Sequence, residues 1–226
     1  MVKKIFIANK LVIFIISYLG VGLSLFLYGK IDLTRLLFFT AQSNLWIGTN
    51  SLLIFINFLV GDKRNSVKKL YQMQYIFTVS ITMTGIVYCF LLAPFSNGIL
   101  DNPWNIPSLF THVITPVFAV VDFLLDSGVV KIKAIDTLYA LIPPFIYFFT
   151  TSILELFNID FGYGEPFPYF FMNYSSPAKL FGFSKQFPYY IGSFYWYVIL
   201  FGVGFLISVI YRKIKLLSIN KSVKLH

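Results

Sequence analysis

Six long apolar runs constrain this chain more than any other feature. A helix needs about 20 apolar residues to cross the hydrocarbon core of a bilayer. The runs are Leu11–Tyr28, Leu36–Val60, Tyr71–Leu92, Ile106–Leu125, Ile135–Leu156 and Tyr190–Tyr211, the first without a single charge. The short alternating segments of a membrane β-barrel are absent, so the runs predict helices. Charged residues make up 12% of the 226 positions, about half the share of a soluble domain. The apolar content equally excludes a disordered chain. The expected fold is therefore all-α: a polytopic membrane protein, a six-transmembrane-helix bundle forming one domain over 1–226. Lys3, Lys4 and Lys10 precede the first run as in a signal peptide, but bulky Leu25-Phe26-Leu27-Tyr28 ends it where a cleavage site needs small residues. It reads as a retained span.

Lys and Arg orient such a bundle, because basic residues stay on the cytoplasmic side. The N-terminal tail, the loops 61–70 and 126–134 and the C-terminal tail hold 14 of them, including Lys63, Arg64, Lys68, Lys69, Lys131, Lys133 and Arg212. The alternate connections hold four: Lys30, Arg35, Lys179 and Lys185. Both termini are expected in the cytoplasm and the protein in the cell membrane. This bias accounts for the net charge of +9 with membrane lipids as partners and no nucleic acid. The lone Cys89 excludes an internal disulfide and a cysteine-based zinc site, no phosphate-binding glycine pattern occurs, and no cofactor or metal is expected.

One connection is unlike the rest. Phe157 to Tyr190 holds 13 Phe or Tyr with Pro166, Pro168, Pro177 and Pro188. This outer aromatic loop, 157–189, reads either as an interfacial belt or as a lid over a cavity. Asn173-Tyr174-Ser175 within it matches a glycosylation acceptor.

Polar side chains inside a span are costly and point to function. Thr40, Gln42, Ser43 and Asn44 form the densest polar patch, with Thr40, Ser43 and Asn44 on one helix face. Structural interhelical bonds account for one or two of the four. His112 is the only histidine besides His226. Thr40 and His112 lie five and seven residues into spans that run in the same direction, so both sit about 6–10 Å below the outer boundary. A hydroxyl with an imidazole base is a nucleophile for acyl transfer. Ser43, Asn44 and Gln42 are candidates for substrate binding or oxyanion donation. Asp122 is too deep to orient the imidazole; Glu155, at the outer end of the fifth span, is the candidate orienting acid. Thr78, Thr82 and Gly85 read as a packing seam in the third span.

Several of these residues resemble a known family. Phe39-Thr40-Ala41-Gln42-Ser43-Asn44, then His112 with Pro116 and Asp122, are similar to the bacterial branch of a predicted six-span membrane family related to the eukaryotic androgen-induced transmembrane proteins. Thr84-Gly85-Ile86-Val87-Tyr88, Trp104, Pro143, Tyr147 and Pro168-Tyr169 agree with it. The eukaryotic members are intramembrane threonine hydrolases of esters between fatty acids and hydroxy fatty acids. The resemblance implies Thr40 as nucleophile and His112 as base, acting on a lipid ester. Gln42-Ser43-Asn44 follows the bacterial pattern rather than the eukaryotic one. The alternative is a small-solute binding or transport membrane subunit, with Asn44 and His112 holding a small-molecule substrate. A third is a structural membrane protein without chemistry.

Overall fold

The computed structural model of the chain describes residues 2–26, 30–61, 64–94, 102–125, 132–162, 164, 167–172 and 189–224. Helix α1 covers Val2–Leu25, α2 Phe39–Val60, α3 Arg64–Val87, α4 Ile106–Leu109, α5 Thr115–Leu125, α6 Asp136–Tyr139, α7 Ile142–Leu156 and α8 Tyr189–Lys224. With the turns that extend or join them, they make six segments long and apolar enough to cross a membrane: Ile7–Leu25, Phe39–Val60, Val67–Leu92, Ile106–Leu125, Asp136–Leu156 and Tyr195–Ser218. The protein is a multi-pass membrane protein. Its outward side chains include Ile15, Leu59, Val117, Leu125 and Phe149, the surface that hydrocarbon tolerates and water does not.

Three spans depart from a regular helix, each for a local reason. Pro143 and Pro144 lack an N–H and crowd the carbonyls four residues earlier. Helix α6 accordingly stops at Tyr139, and α7 starts afresh after a turn at Ala140 and Leu141. The third span ends in a wide π turn, Tyr88–Leu92, closed by the Ala93 N–H on the Tyr88 carbonyl. The fourth contains a second π turn, Phe110–Ile114, between α4 and α5. Pro116 cannot donate to the His112 carbonyl four residues back, which favours a wider turn at this point. The second span begins later than the apolar run. Asp32 caps a 3-10 turn, Leu33–Leu37, and α2 starts only at Phe39. Hydrogen bonds from Thr34, then the nearby Arg35 cation, hold the Asp32 carboxyl below its usual range despite partial burial.

Small residues set the spacing of the helices. A methyl placed on Gly48 would lie 2.0 Å from Ser17 Oγ, so α1 and α2 meet through a glycine and a serine. Ile13, Ile47, Ile81 and Ala119 fill the centre of the bundle. Around Phe39, a second cluster gathers Leu91, Tyr147, Phe148, Phe171, Met172, Trp196 and Leu200. Phe171 and Met172 come from the aromatic loop 157–189 and are buried. This part of the loop is therefore not an interfacial belt: residues 167–172 fold back into the bundle over the start of α2. Pro166, Pro177, Pro188 and Asn173-Tyr174-Ser175 lie outside the described residues.

The far end of the bundle, where the chain begins, holds an ion pair that the sequence hides. Lys10 reads as a tail charge, yet it is fully buried against an equally buried Asp122. Asn9 Nδ2 donates to Asp122 Oδ1 at 3.0 Å. Gln74 reaches Oδ2 at 3.5 Å and receives a 2.7 Å hydrogen bond from Asn50. Three spans meet at one carboxylate, and the second joins them through Gln74. Removing one partner of such a pair strands a charge and costs about 3–5 kcal/mol, whereas replacing both by apolar groups is often tolerated. Asp122→Ala and Lys10→Ala should each lower the thermal midpoint of the purified protein strongly. The double variant Lys10→Met/Asp122→Leu should recover most of the loss; purely additive losses would show that the charges are not coupled.

Candidate functional site

Thr40 is the second residue of α2, and His112 is the middle residue of the π turn between α4 and α5. The structure brings them together: Thr40 Oγ1 lies 3.2 Å from His112 Nε2. The other ring nitrogen, Nδ1, faces the Ser108 carbonyl at 3.0 Å and Thr111 Oγ1 at 3.1 Å. A carbonyl can only accept, so Nδ1 carries the proton. That tautomer leaves Nε2 with a lone pair facing the Thr40 hydroxyl, the arrangement a general base needs. The imidazole is also held by its face. Tyr88, itself buried, stacks on it at 3.6 Å between centroids and 16° between planes, and its hydroxyl donates to the Pro103 carbonyl.

The orienting partner of His112 is thus the Ser108 backbone. Glu155 makes no hydrogen bond or ion pair with His112 among the described residues; it belongs to the end of α7. The proposed oxyanion donors are likewise engaged elsewhere. Asn44 Nδ2 donates to the Thr40 carbonyl at 2.8 Å and to the Thr111 carbonyl at 3.0 Å, so both its N–H groups are spent on backbone. Ser43 shares its hydroxyl with Thr84 at 2.8 Å and with the Thr40 carbonyl at 3.2 Å. Gln42 turns away to the Leu36 and Leu37 carbonyls, at 3.3 and 3.5 Å. These side chains fasten α2 to its neighbours, and other hydrogen-bond donors lie close by.

Those groups lie at the end of α2. The N-cap is Phe38, whose side chain cannot cap, and the first bond of the helix runs from the Gln42 N–H to the Phe38 carbonyl. The amides of Phe39, Thr40 and Ala41 have no acceptor within the helix, and its dipole is positive at this end. Tyr169, from the folded-back loop, places its hydroxyl beside the Thr40 side chain and the Phe39 and Thr40 amides. Burial raises its pKa above the ordinary phenol value against the opposing pull of these neighbours, so it stays protonated at neutral pH and can donate. The sequence did not mark this helix end, because the apolar run begins at Leu36, inside the separate turn that Asp32 caps. Tyr169 could not be assigned from spacing, because it is 129 residues from Thr40 and outside any span.

The cavity at Thr40 is small, about 30 Å³, with Phe39, Thr84, Val87, Tyr147, Tyr169 and Phe171 among its walls. No group of three or more His, Cys, Asp or Glu side chains comes together among the described residues. Compared with known proteins, the chain matches no family model, no curated protein and no solved structure.

The dyad depends on close packing behind it. A methyl built on Gly85 of α3 would lie 3.0 Å from the His112 carbonyl oxygen and 3.2 Å from Pro116 Cβ, whereas one on Gly22 meets nothing within 4 Å. Gly85→Ala should therefore destabilise the protein by about 1–3 kcal/mol through overpacking. Gly22→Ala, in a helix interior, should be neutral or stabilise by about 0.5–1 kcal/mol. Thermal unfolding of the two purified variants checks both signs.

Proposed function

We propose that this protein is an intramembrane hydrolase of lipid esters, with Thr40 as nucleophile and His112 as general base. The observation that supports it best is the 3.2 Å approach of Thr40 Oγ1 to an imidazole nitrogen whose partner nitrogen is tied to a carbonyl. A threonine hydroxyl attacks an ester only when a base takes its proton as the new C–O bond forms. In this reading His112 Nε2 accepts that proton while Thr40 Oγ1 adds to the acyl carbon. The carbonyl electrons move onto oxygen, where the α2 amides and the Tyr169 hydroxyl stabilise the negative charge. Collapse of the adduct breaks the bond to the leaving oxygen, which takes the proton from His112 and departs as the alcohol. Water, deprotonated by the same nitrogen, then attacks the acyl-threonine and releases the fatty acid.

The medium suits this chemistry. Inside a membrane a fixed dipole is little screened, so a helix terminus and one phenol act strongly on a developing oxyanion. The ester arrives from the bilayer, since the dyad is carried by spans whose outer surfaces are apolar. With the basic residues on the cytoplasmic side of the cell membrane, the dyad lies towards the outer leaflet and both termini are cytoplasmic.

The reading predicts covalent labelling of the purified protein by a fluorophosphonate and release of fatty acid from a lipid ester. Thr40→Ala should abolish both, and His112→Ala should slow hydrolysis by about 10²–10⁴-fold. Tyr169→Phe, which removes one donor and keeps the ring, should cost about 10²-fold in kcat. Labelling that persists in Thr40→Ala would overturn the nucleophile. Stabilisation by a polar solute, with no ester cleaved, would favour the solute-binding alternative.

A further inference from the structure

The cavity at Thr40, about 30 Å³, has room for a water or two. It cannot take an ester with its chains. Next to it, between α2 and α7, lies a groove of about 320 Å³, at the lower end of the roughly 300–1,000 Å³ of small-molecule sites. Trp46, Phe77, Ile142, Ile146 and Leu154 form its apolar walls. Its polar wall residues are turned inward on their own backbone. Thr150 donates to the Ile146 carbonyl, Thr151 to the Tyr147 carbonyl, and Gln42 to the Leu36 and Leu37 carbonyls. The donors of Thr150, Thr151 and Gln42 are thus taken up by backbone carbonyls. Ile142 and Ile146, at 46% and 57% exposure, stand at its rim within a membrane span, so it opens towards lipid.

Tyr147 is the one residue besides its helical neighbours that separates groove from cavity, for it lines both. It is 3% exposed, yet its hydroxyl makes no hydrogen bond of ordinary geometry among the described residues. Tyr75, by contrast, is anchored by a 2.8 Å bond to the Ser208 carbonyl. Its polar neighbours, the Tyr169 hydroxyl and the Phe39 amide, stop short of hydrogen-bond geometry, so the ring gives up no well-formed hydrogen bond when it turns. We propose that the groove between α2 and α7 binds the alkyl chain of a lipid, and that the Tyr147 side chain is the movable partition that sets how far this chain extends towards Thr40. The first half stands on the groove alone; the second deepens the hydrolase reading by naming the residue that selects chain length.

Binding of brominated fatty acids of graded length tests both halves without turnover, in the Thr40→Ala background. Bromine quenches nearby tryptophan, and Trp46 lines the groove. Quenching should be saturable, should largely vanish in Trp46→Phe, and should weaken at least tenfold in Thr150→Phe, which fills the groove. Unsaturable quenching, or quenching that Trp46→Phe leaves unchanged, overturns the site. For the partition, Tyr147→Leu should extend the length dependence: affinity should keep rising beyond the chain length at which the parent levels off. Tyr147→Phe should match the parent. The same plateau in parent and Tyr147→Leu, or in Tyr147→Ala should the leucine variant not fold, overturns the partition. Failure of every ester to be cleaved would remove the hydrolase reading and leave these binding results standing.

Discussion

A primary amide inside a hydrocarbon slab has no water to turn to, so the two N–H groups of Asn44 must end on protein oxygen. One ends on the Thr40 carbonyl of its own helix and the other on the Thr111 carbonyl of the fourth span. Each acceptor is the backbone of, or next to, a residue of the dyad. The distance between hydroxyl and imidazole is thereby fixed by main chain as well as by side-chain rotamers. Ser43 repeats the device towards Thr84, and Gly85, one residue on, lets α3 approach the His112 carbonyl. The site is a consequence of how three helices satisfy their polar groups.

The same rule explains what could and could not be read from the chain. Span positions follow from run length alone, and the described helices match them to within a few residues at most ends. The start of the second span was missed because Asp32 and Thr34 form a separate cap. The level of Thr40 and His112 follows from counting residues along two helices of the same direction. Which side chains would be spent on structure does not. Asn44, Ser43 and Gln42 have the chemistry of oxyanion donors, and only the positions of the Thr40, Thr111, Leu36 and Leu37 carbonyls and the Thr84 hydroxyl show where their donor groups are spent. Glu155 lost the orienting role to the Ser108 carbonyl for the same reason: a backbone oxygen four residues before His112 is present in every helix and leaves no mark in composition.

Counting charges along the chain does not show where they sit. Lys10 and Lys215 both count as tail residues, yet Lys10 sits inside the bundle on Asp122, and Lys215 is buried 4.6 Å above the Phe123 ring. Basic side chains with long apolar stems satisfy both roles, lying along the core while their charge finds a partner. The loop of aromatic residues shows a comparable split. Phe171 and Met172 are core, and Tyr169 joins the site, although all belong to a segment without the length or regularity of a span.

The wide turn at Phe110–Ile114 carries a consequence beyond the imidazole it holds. An ordinary helix advances about 100° per residue, and a π turn absorbs one residue more than the regular spiral. Every position after it, Asp122 included, keeps the place that a regular helix one residue shorter would give it. Deleting one residue there would close the turn to an ordinary one and dislodge the ring from Thr40 while leaving Asp122 on Lys10. The site end of the fourth span can change without disturbing the ion pair at the other end.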